Sequence, residues 1–447
     1  MKLIIDNFAK IKKAEIVFDG ITIIAGKNNS GKSTVGKVLY GIFNSLNGME
    51  EKIQKKKQEE IEKSVSAIVT IIYVLFMEDK EAFKERERKQ REPDIEKLVN
   101  EIKSKPDGYW NDKELFKLFA DFFDVDDKLW KKTFIKEFLE ENIQKILQLI
   151  GTSEYSISCE IINRIFCGLF CNQINSLVDS EDASLKLMIK DKKINILFQE
   201  NHCNSYQAEL KILKQAYYIE NPLLINKLSA NEKKSSENEN TYIAADDNII
   251  SILSEQNNDI LHGIFDSVIA KEKLSEIYNV LNDVIDGEIS FDGSDFLLAT
   301  KNFTEPLKIN NLSAGLKSFV IIKMLLEKGA LKEKDILILD EPEIHLHPEW
   351  QLKYAQMIVL LQKVFDLNIV VTTHSAHFLD AIDFYSKKYK IQEKCNYYLT
   401  NMQNGMSTFE CVNRDLEKIY SQLVEPSILL DKLKYEQEME DEDEDEE

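Results

Sequence analysis

The residues Gly26-Lys27-Asn28-Asn29-Ser30-Gly31-Lys32-Ser33-Thr34 constrain the fold more than any other part of the chain. They fit G-x-x-x-x-G-K-[ST]. The apolar, β-branched run Ile21-Thr22-Ile23-Ile24-Ala25 precedes them, and a helical pattern from Ser33 to about Leu46 follows. Strand, glycine-rich loop and helix in that order predict a nucleotide-binding α/β unit. Glycines at 26 and 31 let backbone N–H groups turn inward around a triphosphate, and the helix N-terminus adds partial positive charge. Lys32 is then expected to reach the β- and γ-phosphates of ATP, with the Ser33 hydroxyl as a ligand to Mg²⁺. Asn28, Asn29, Ser30 and Thr34 complete the expected cradle.

Three further segments fit the same chemistry. In Asp335-Ile336-Leu337-Ile338-Leu339-Asp340-Glu341-Pro342, four apolar residues end in two carboxylates, which reads as a buried parallel strand delivering acids at its C-terminal edge. Asp340 is expected in the metal shell, and Glu341 is placed to polarise an attacking water as general base. In Asn311-Leu312-Ser313-Ala314-Gly315-Leu316-Lys317-Ser318, 27 residues ahead of Asp340 counted from Ser313, Ser313 and Gly315 start a helix whose N–H groups suit an anion, with Lys317 one turn in. Taken alone this is an ordinary capped helix; its place in the order of motifs gives it a phosphate-binding role. Asn368-Ile369-Val370-Val371-Thr372-Thr373-His374-Ser375 is another apolar strand with a polar end, and His374 lies 34 residues beyond Asp340. A lone strand-end histidine is ordinarily structural; here it falls where a γ-phosphate sensor belongs.

Around these motifs the texture changes. Residues 49–180 lose glycine and gain charge, with aromatic and aliphatic residues recurring at helical spacing, as in Leu115-Phe116, Leu118-Phe119 and Phe122-Phe123. This predicts a helical insertion with its own core and without sustained heptads. Residues 181–310 return to strands (a hairpin over Leu185–Phe198, then Gln215–Ile219), a polar loop at Ser229–Thr241 and helix from Ile249 to Ile285. Residues 311–435 carry the second α/β portion, a strand pair near 395–412 and a short helix over 415–434. The segment 436–447 holds ten carboxylates in twelve residues and is expected to be a solvated, disordered tail. The chain's 57 basic and 78 acidic residues give −21, and without the tail the acidic excess is 11, which rules out a generally basic nucleic-acid binder. Six scattered cysteines contain no C-x-x-C pair, so neither a disulfide scaffold nor a zinc hook is expected; Cys167 and Cys171 read as neighbouring core thiols on one helical face. No signal peptide opens the chain, and the longest apolar run, Val65–Met77, is too short for a membrane span, so a cytoplasmic location is expected.

The phosphate loop, L-S-x-G-x-K, D-E-P and T-T-H-S, in that order and with a large insertion after the first, resemble an ATP-binding-cassette ATPase of the SMC/RecF kind. The stretch Asp340–Trp350 and the run Thr372–Ser375 are most similar to OLD-like ATPases, a group that includes the ATPases of Septu and retron-linked anti-phage systems. The resemblance is specific over residues 20–48 and 305–385. It implies an ABC-type P-loop NTPase head of α/β class with a large helical insertion between Walker A and the signature motif. It further implies two ATPs held between head-to-tail copies, in a homodimer or a higher even-numbered oligomer. Lys32 and Ser33 would bind ATP in cis, and Ser313, Gly315 and Lys317 would contact the γ-phosphate from the other subunit. Glu341 would be the base and His374 the switch histidine. Glu343–Pro348 would meet the partner subunit, with His345 and His347 as loop residues; a metal pair there is the weaker alternative. The family's metal-contacting glutamine has no motif here, Gln207 and Gln215 being the candidates.

Only 73 residues follow His374, too few for the acidic Toprim domain that OLD nucleases carry after the ATPase, and no H-N-H-like histidine cluster occurs. A separate effector, a nuclease, is therefore the expected partner in phage defence. The alternative is a RecF-like repair ATPase clamping duplex DNA, for which Lys84, Arg86, Arg88, Lys89 and Arg91 are candidate contacts, although Glu85, Glu87 and Glu92 interleave them as on an ordinary salt-bridged helix.

Overall fold

The computed structural model describes residues 1–78, 95–106, 108–123, 133–178, 181–228, 245–254, 274–292, 295–301 and 303–445. The basic cluster Lys84–Arg91 and the polar loop Ser229–Thr241 lie outside these residues. Two compact units emerge, one formed by residues 1–47 with 161–447 and the other by residues 48–160. Residues 161–180, read from sequence as insertion, thus fall in the first unit. The reason is aromatic packing: the Phe166 ring centroid lies 6.1 Å from Phe8 and 5.0 Å from Phe198, both in that unit.

The first unit is built on an eleven-stranded mixed sheet of order β6-β5-β4-β1-β2-β14-β13-β3-β12-β11-β7. Its strands are β1 Lys2–Phe8, β2 Ile11–Val17, β3 Ile21–Ala25, β4 Ala183–Ile189, β5 Lys192–Gln199, β6 His202–Ala208, β7 Ala216–Ile219, β11 Ile336–Asp340, β12 Asn368–Thr373, β13 Cys395–Gln403 and β14 Met406–Cys411. A separate three-stranded sheet joins β8 Gly287–Phe291, β9 Phe296–Thr300 and β10 Leu307–Lys308. The residues of β3 and β11 are buried throughout, as continuous apolar runs in a covered parallel sheet must be. By contrast β2 and β5 alternate buried and exposed positions, because one of their faces meets solvent. At about 1.5–3 kcal/mol for each fully buried aliphatic side chain, the central strands anchor the unit.

Parallel pairing sets the site. Strand β12 lies between β3 and β11, with Thr373 opposite Ala25 and Thr372 opposite Asp340, while β7 pairs with the other side of β11, Ile219 opposite Leu339. All four strands therefore end at one edge. The helix Lys32–Leu46 leaves that edge and passes close beneath the sheet at Gly36, where a Cβ would sit 2.9 Å from Ile338 Cγ2 and 3.2 Å from the Tyr218 ring.

The second unit is helical, with Met49–Glu78, Ile95–Ser104, Asp112–Phe123 and Thr133–Gly151 closing on Ile61, Val65, Ile68, Leu98, Phe119 and Ile143. The helix Glu154–Phe170, of which residues 161–170 belong to the first unit, stops before Cys171, whose φ of 49° and exposure differ from the core position expected of it. Cys171 and Asn172 both adopt left-handed backbone, and the Asn172 N–H caps the helix by donating to the Cys167 carbonyl. The last helix runs Glu417–Asp445 and so continues through the acidic stretch read as disordered. Glutamate is a good helix former, and extending an existing helix costs far less than nucleating one. Among the described residues no helix is long and apolar enough to cross a membrane.

Candidate active site

The loop after β3 is shaped by its two glycines. Gly26 has φ 153°, and a Cβ there would lie 1.8 Å from Thr400 Oγ1; Gly31, at φ 80°, is the N-cap of the helix that begins at Lys32. Asn29 also adopts a positive φ, 63°, and its carboxamide accepts from Lys10 Nζ at 2.6 Å. The buried Ser30 hydroxyl accepts from Thr400 Oγ1 at 2.7 Å, tying the loop to β13. Lys27, Asn28 and Asn29 are exposed, whereas Thr34 is half-buried within the first turn.

Lys32 is 3% exposed, and its ammonium donates to the carbonyls of Gly26 at 3.1 Å and Lys27 at 3.0 Å, with Glu341 Oε1 at 3.5 Å. The lysine thus lies inside the ring of its own loop, with a carboxylate as counter-charge. Ser33 Oγ donates to Asp340 Oδ1 at 3.0 Å. The same oxygen accepts from Thr372 Oγ1, and Asp340 Oδ2 accepts from the Tyr218 phenol at 2.6 Å.

Glu341 has φ 48°, an uncommon value for a residue with a side chain, and its N–H is shared between the Thr372 carbonyl, 3.2 Å, and Thr372 Oγ1, 3.0 Å. This left-handed turn aims the Glu341 carboxylate toward His374, whose Nδ1 lies 3.6 Å from Oε1. Beneath both is Glu343, 3% exposed, accepting from Thr373 Oγ1 at 2.5 Å and from the His374 N–H at 3.2 Å. Its Oε2 is buried and has no hydrogen-bond partner among the described residues. Burial raises the Glu343 pKa above the ordinary carboxylate value, partly opposed by the Thr373 hydrogen bond.

Five residues singled out in the sequence, Lys32, Ser33, Asp340, Glu341 and His374, are thus linked by direct contacts. Ser313, Gly315 and Lys317 are arranged differently. Ser313 caps the helix Ala314–Glu327 by accepting from the Leu316 N–H at 3.3 Å. A Cβ on Gly315 would lie 2.7 Å from the His345 carbonyl, so glycine permits close approach of the loop after Glu341. Lys317 is 3% exposed, donates to the Asn310 carbonyl at 2.8 Å, and has its pKa lowered by burial. It braces the loop ahead of its helix instead of facing outward. His345 is exposed, and His347 caps the helix Pro348–Phe365 through Nδ1, which accepts from the Glu349 N–H.

Neither candidate glutamine reaches this edge. Gln215 precedes β7, at the end remote from the phosphate loop, where its N–H meets Asp335; Gln207 lies on the outermost strand, β6. Tyr218, Thr372 and Thr400 have no individual role in the sequence analysis, and Glu343 figures there only as the first residue of the segment expected to meet the partner subunit. Two adjacent threonines closing an apolar strand were a signal for Thr372; Tyr218, inside an apolar run, offered none. A cavity of about 850 Å³ lies beside the loop, bounded by Lys27, Leu399, Asn401, Glu410, Glu425 and Ile428. Lys32, Ser33 and Asp340 are not among the residues that line it, so it is distinct from the phosphate cradle.

The carboxylate and hydroxyl oxygens of Asp340 and Ser33 are a hard donor set, of the kind that takes Mg²⁺ together with phosphate oxygens. The glycine cradle with its buried lysine fits a polyphosphate. Compared with known proteins, residues 1–379 match the sequence profile of the AAA ATPase domain. Septu protein PtuA of Bacillus thuringiensis is 32% identical over 116 residues, a match spanning 22% of this chain and 28% of that protein. Among solved structures, an SMC head bound to the C-winged helix domain of ScpA is similar at 14% identity and TM-score 0.44, over 93% of this chain and 98% of that one. The SMC head domain from Thermotoga maritima is similar at 12% identity and TM-score 0.37, over 92% and 98%.

Proposed function

The chain belongs to the AAA ATPase domain family, and from that membership we propose that it binds ATP with Mg²⁺, dimerises around the nucleotide, hydrolyses it, and acts as a switch on a separate effector. The observation that carries this reading is the meeting of Lys32, Ser33, Asp340, Glu341 and His374 at one edge of three adjacent parallel strands.

A triphosphate in the cradle replaces the loop carbonyls as partner of the Lys32 ammonium, and the N–H groups opening the helix at Lys32 point at its oxygens. Ser33 and Asp340 are the residues that would hold Mg²⁺, which, when bound, supplies positive charge to the phosphates. Once Lys32 turns to phosphate, Glu341 is released from its ion pair and takes a proton from water as general base. His374, its backbone fixed by Glu343, stands beside that carboxylate to sense the γ-phosphate. Ser313 and the close-packed Gly315 present a helix N-terminus to the second copy's nucleotide. Lys317 supports that surface from within, since its ammonium is bound to Asn310.

Binding ATP between two copies favours the closed pair, and hydrolysis removes the preference, which is what a reversible switch requires. The partial likeness to Septu protein PtuA supports a role in anti-phage defence; in that role the chain acts in the cytoplasm on a nuclease as its effector. The reading is tested by light scattering of Glu341→Gln with ATP and Mg²⁺. A stable dimer of twice the 51.8 kDa chain mass, without phosphate release, is expected; a monomer at saturating ATP, or undiminished phosphate release, overturns it.

A further inference from the structure

The carboxylate of Asp340 is held by more donors than binding one metal requires. Both of its oxygens accept hydroxyl hydrogen bonds, Oδ1 from Thr372 and Ser33 and Oδ2 from Tyr218, so the group cannot turn about its own axis without losing a buried bond. Ser33 is the member that a metal would recruit. Tyr218 and Thr372 remain, one on each oxygen. We propose that Tyr218 and Thr372 are positioning residues that clamp Asp340 in the orientation that receives the divalent cation. The inference rests on reading Ser33 and Asp340 as the metal ligands.

The surroundings fix both donors. Tyr218 is 1% exposed and lies on β7 opposite Ile338 of β11, so the strand pairing sets its height beside Asp340. Its ring packs against the glycine gap at residue 36 and lies 6.0 Å from the Tyr40 ring, which leaves the phenol little freedom except toward the carboxylate. Thr372 is fully buried, is paired with Asp340 across the strands, and also accepts from the Glu341 N–H, so it cannot rotate away cheaply. The choice of donor matters electrostatically. A lysine or arginine here would neutralise Asp340 and remove the charge that a cation needs, whereas neutral hydroxyls orient the carboxylate and leave its negative charge available. The nearby ammonium of Lys32 pairs with Glu341 instead.

The test measures Mn²⁺ binding to the ADP-loaded protein by electron paramagnetic resonance, alongside ADP affinity in chelator. Tyr218→Phe is expected to weaken Mn²⁺ binding by about tenfold or more, the usual size for loss of a partner behind a metal ligand. ADP affinity in chelator should stay at the parent value, and half-maximal ATP turnover should move to higher Mg²⁺. Thr372→Val should weaken Mn²⁺ in the same way and serves if the phenylalanine variant does not fold, while Thr372→Ser, which keeps the hydroxyl, should retain parental affinity. Mn²⁺ affinity within twofold of the parent in a folded Tyr218→Phe or Thr372→Val chain overturns the clamp, as does a serine variant as weak as the valine one. Asp340→Asn separates the two levels. If it loses Mn²⁺ while the hydroxyl variants do not, the clamp alone fails; if it binds Mn²⁺ as the parent does, the metal assignment fails beneath it.

Discussion

Gly26→Ala perturbs the phosphate loop in two separable ways. The backbone at φ 153° is one that residues with a Cβ rarely adopt, and holding alanine there costs about 1–3 kcal/mol. The new methyl would also lie 1.8 Å from Thr400 Oγ1, far inside contact distance, and relieving such overlap costs about 1–3 kcal/mol more. The single variant should therefore lose about 2–6 kcal/mol of stability or expel the loop from its place, and with it nucleotide binding. Thr400→Ala removes the obstructing hydroxyl at the expense of its hydrogen bond to Ser30, about 1 kcal/mol. In that background most of the overlap is gone, although the Cβ of residue 400 remains 3.1 Å from the new methyl, so the Gly26→Ala penalty should fall toward the backbone part, a coupling of about 1–3 kcal/mol. Urea unfolding of the four chains of the cycle, with fluorescent ATP-analogue binding on each, measures it. A Gly26→Ala penalty under about 1 kcal/mol, or an equal penalty in both backgrounds within about 0.5 kcal/mol, would refute the reasoning.

Lys32→Ala should lower ATP affinity by roughly three orders of magnitude, since an ammonium about 4 Å from a phosphate charge contributes about 4 kcal/mol at a near-surface dielectric; calorimetry showing less than a tenfold loss would contradict the cradle. Mixing Ser313→Arg chains with Lys32→Ala chains should restore hydrolysis through one composite site per pair, whereas inactivity of the mixture would argue against nucleotide shared between copies. Glu343→Gln should alter the pH dependence of stability. Because burial raises the folded pKa of Glu343 above its unfolded value near 4.5, the stability its protonated form contributes is present below that value and is lost as pH rises through the folded pKa. The glutamine variant should therefore gain on the parent across that window, and urea midpoints differing by a constant amount from pH 4 to 8 would exclude the effect.

The sequence announced the central edge of the sheet because each of its strands is an apolar run ending in polar residues, a pattern few other arrangements satisfy. It also announced the hairpin formed by β4 and β5, where alternation meets a short polar turn. It could not announce what depends on side-chain direction. Tyr218 reads as one more apolar strand residue until parallel pairing sets its hydroxyl against Asp340. Lys317 reads as an outward charge one turn into a helix, yet its stem packs inward and its ammonium finds the Asn310 carbonyl. Glu343 looks like surface beside exposed Ile344 and His345, but the turn after Asp340 folds it under Thr373. The extent of the last helix was also hidden, because composition records the charge of the acidic stretch and not its continuity with the helix before it.

The strand that opens the chemistry is an early one whose two neighbours are late. Residues 21–25 pair with 369–373 on one side and with 395–399 on the other. As the polypeptide emerges from the ribosome, the strand that leads into the phosphate loop has neither neighbour until more than three hundred further residues have been made. Until then the nascent chain carries an open, apolar strand edge, which needs shielding from its neighbours. Competence to handle nucleotide is thereby deferred until β13 has been made, and a product cut short before that strand would carry every signature motif and lack the frame that makes them work.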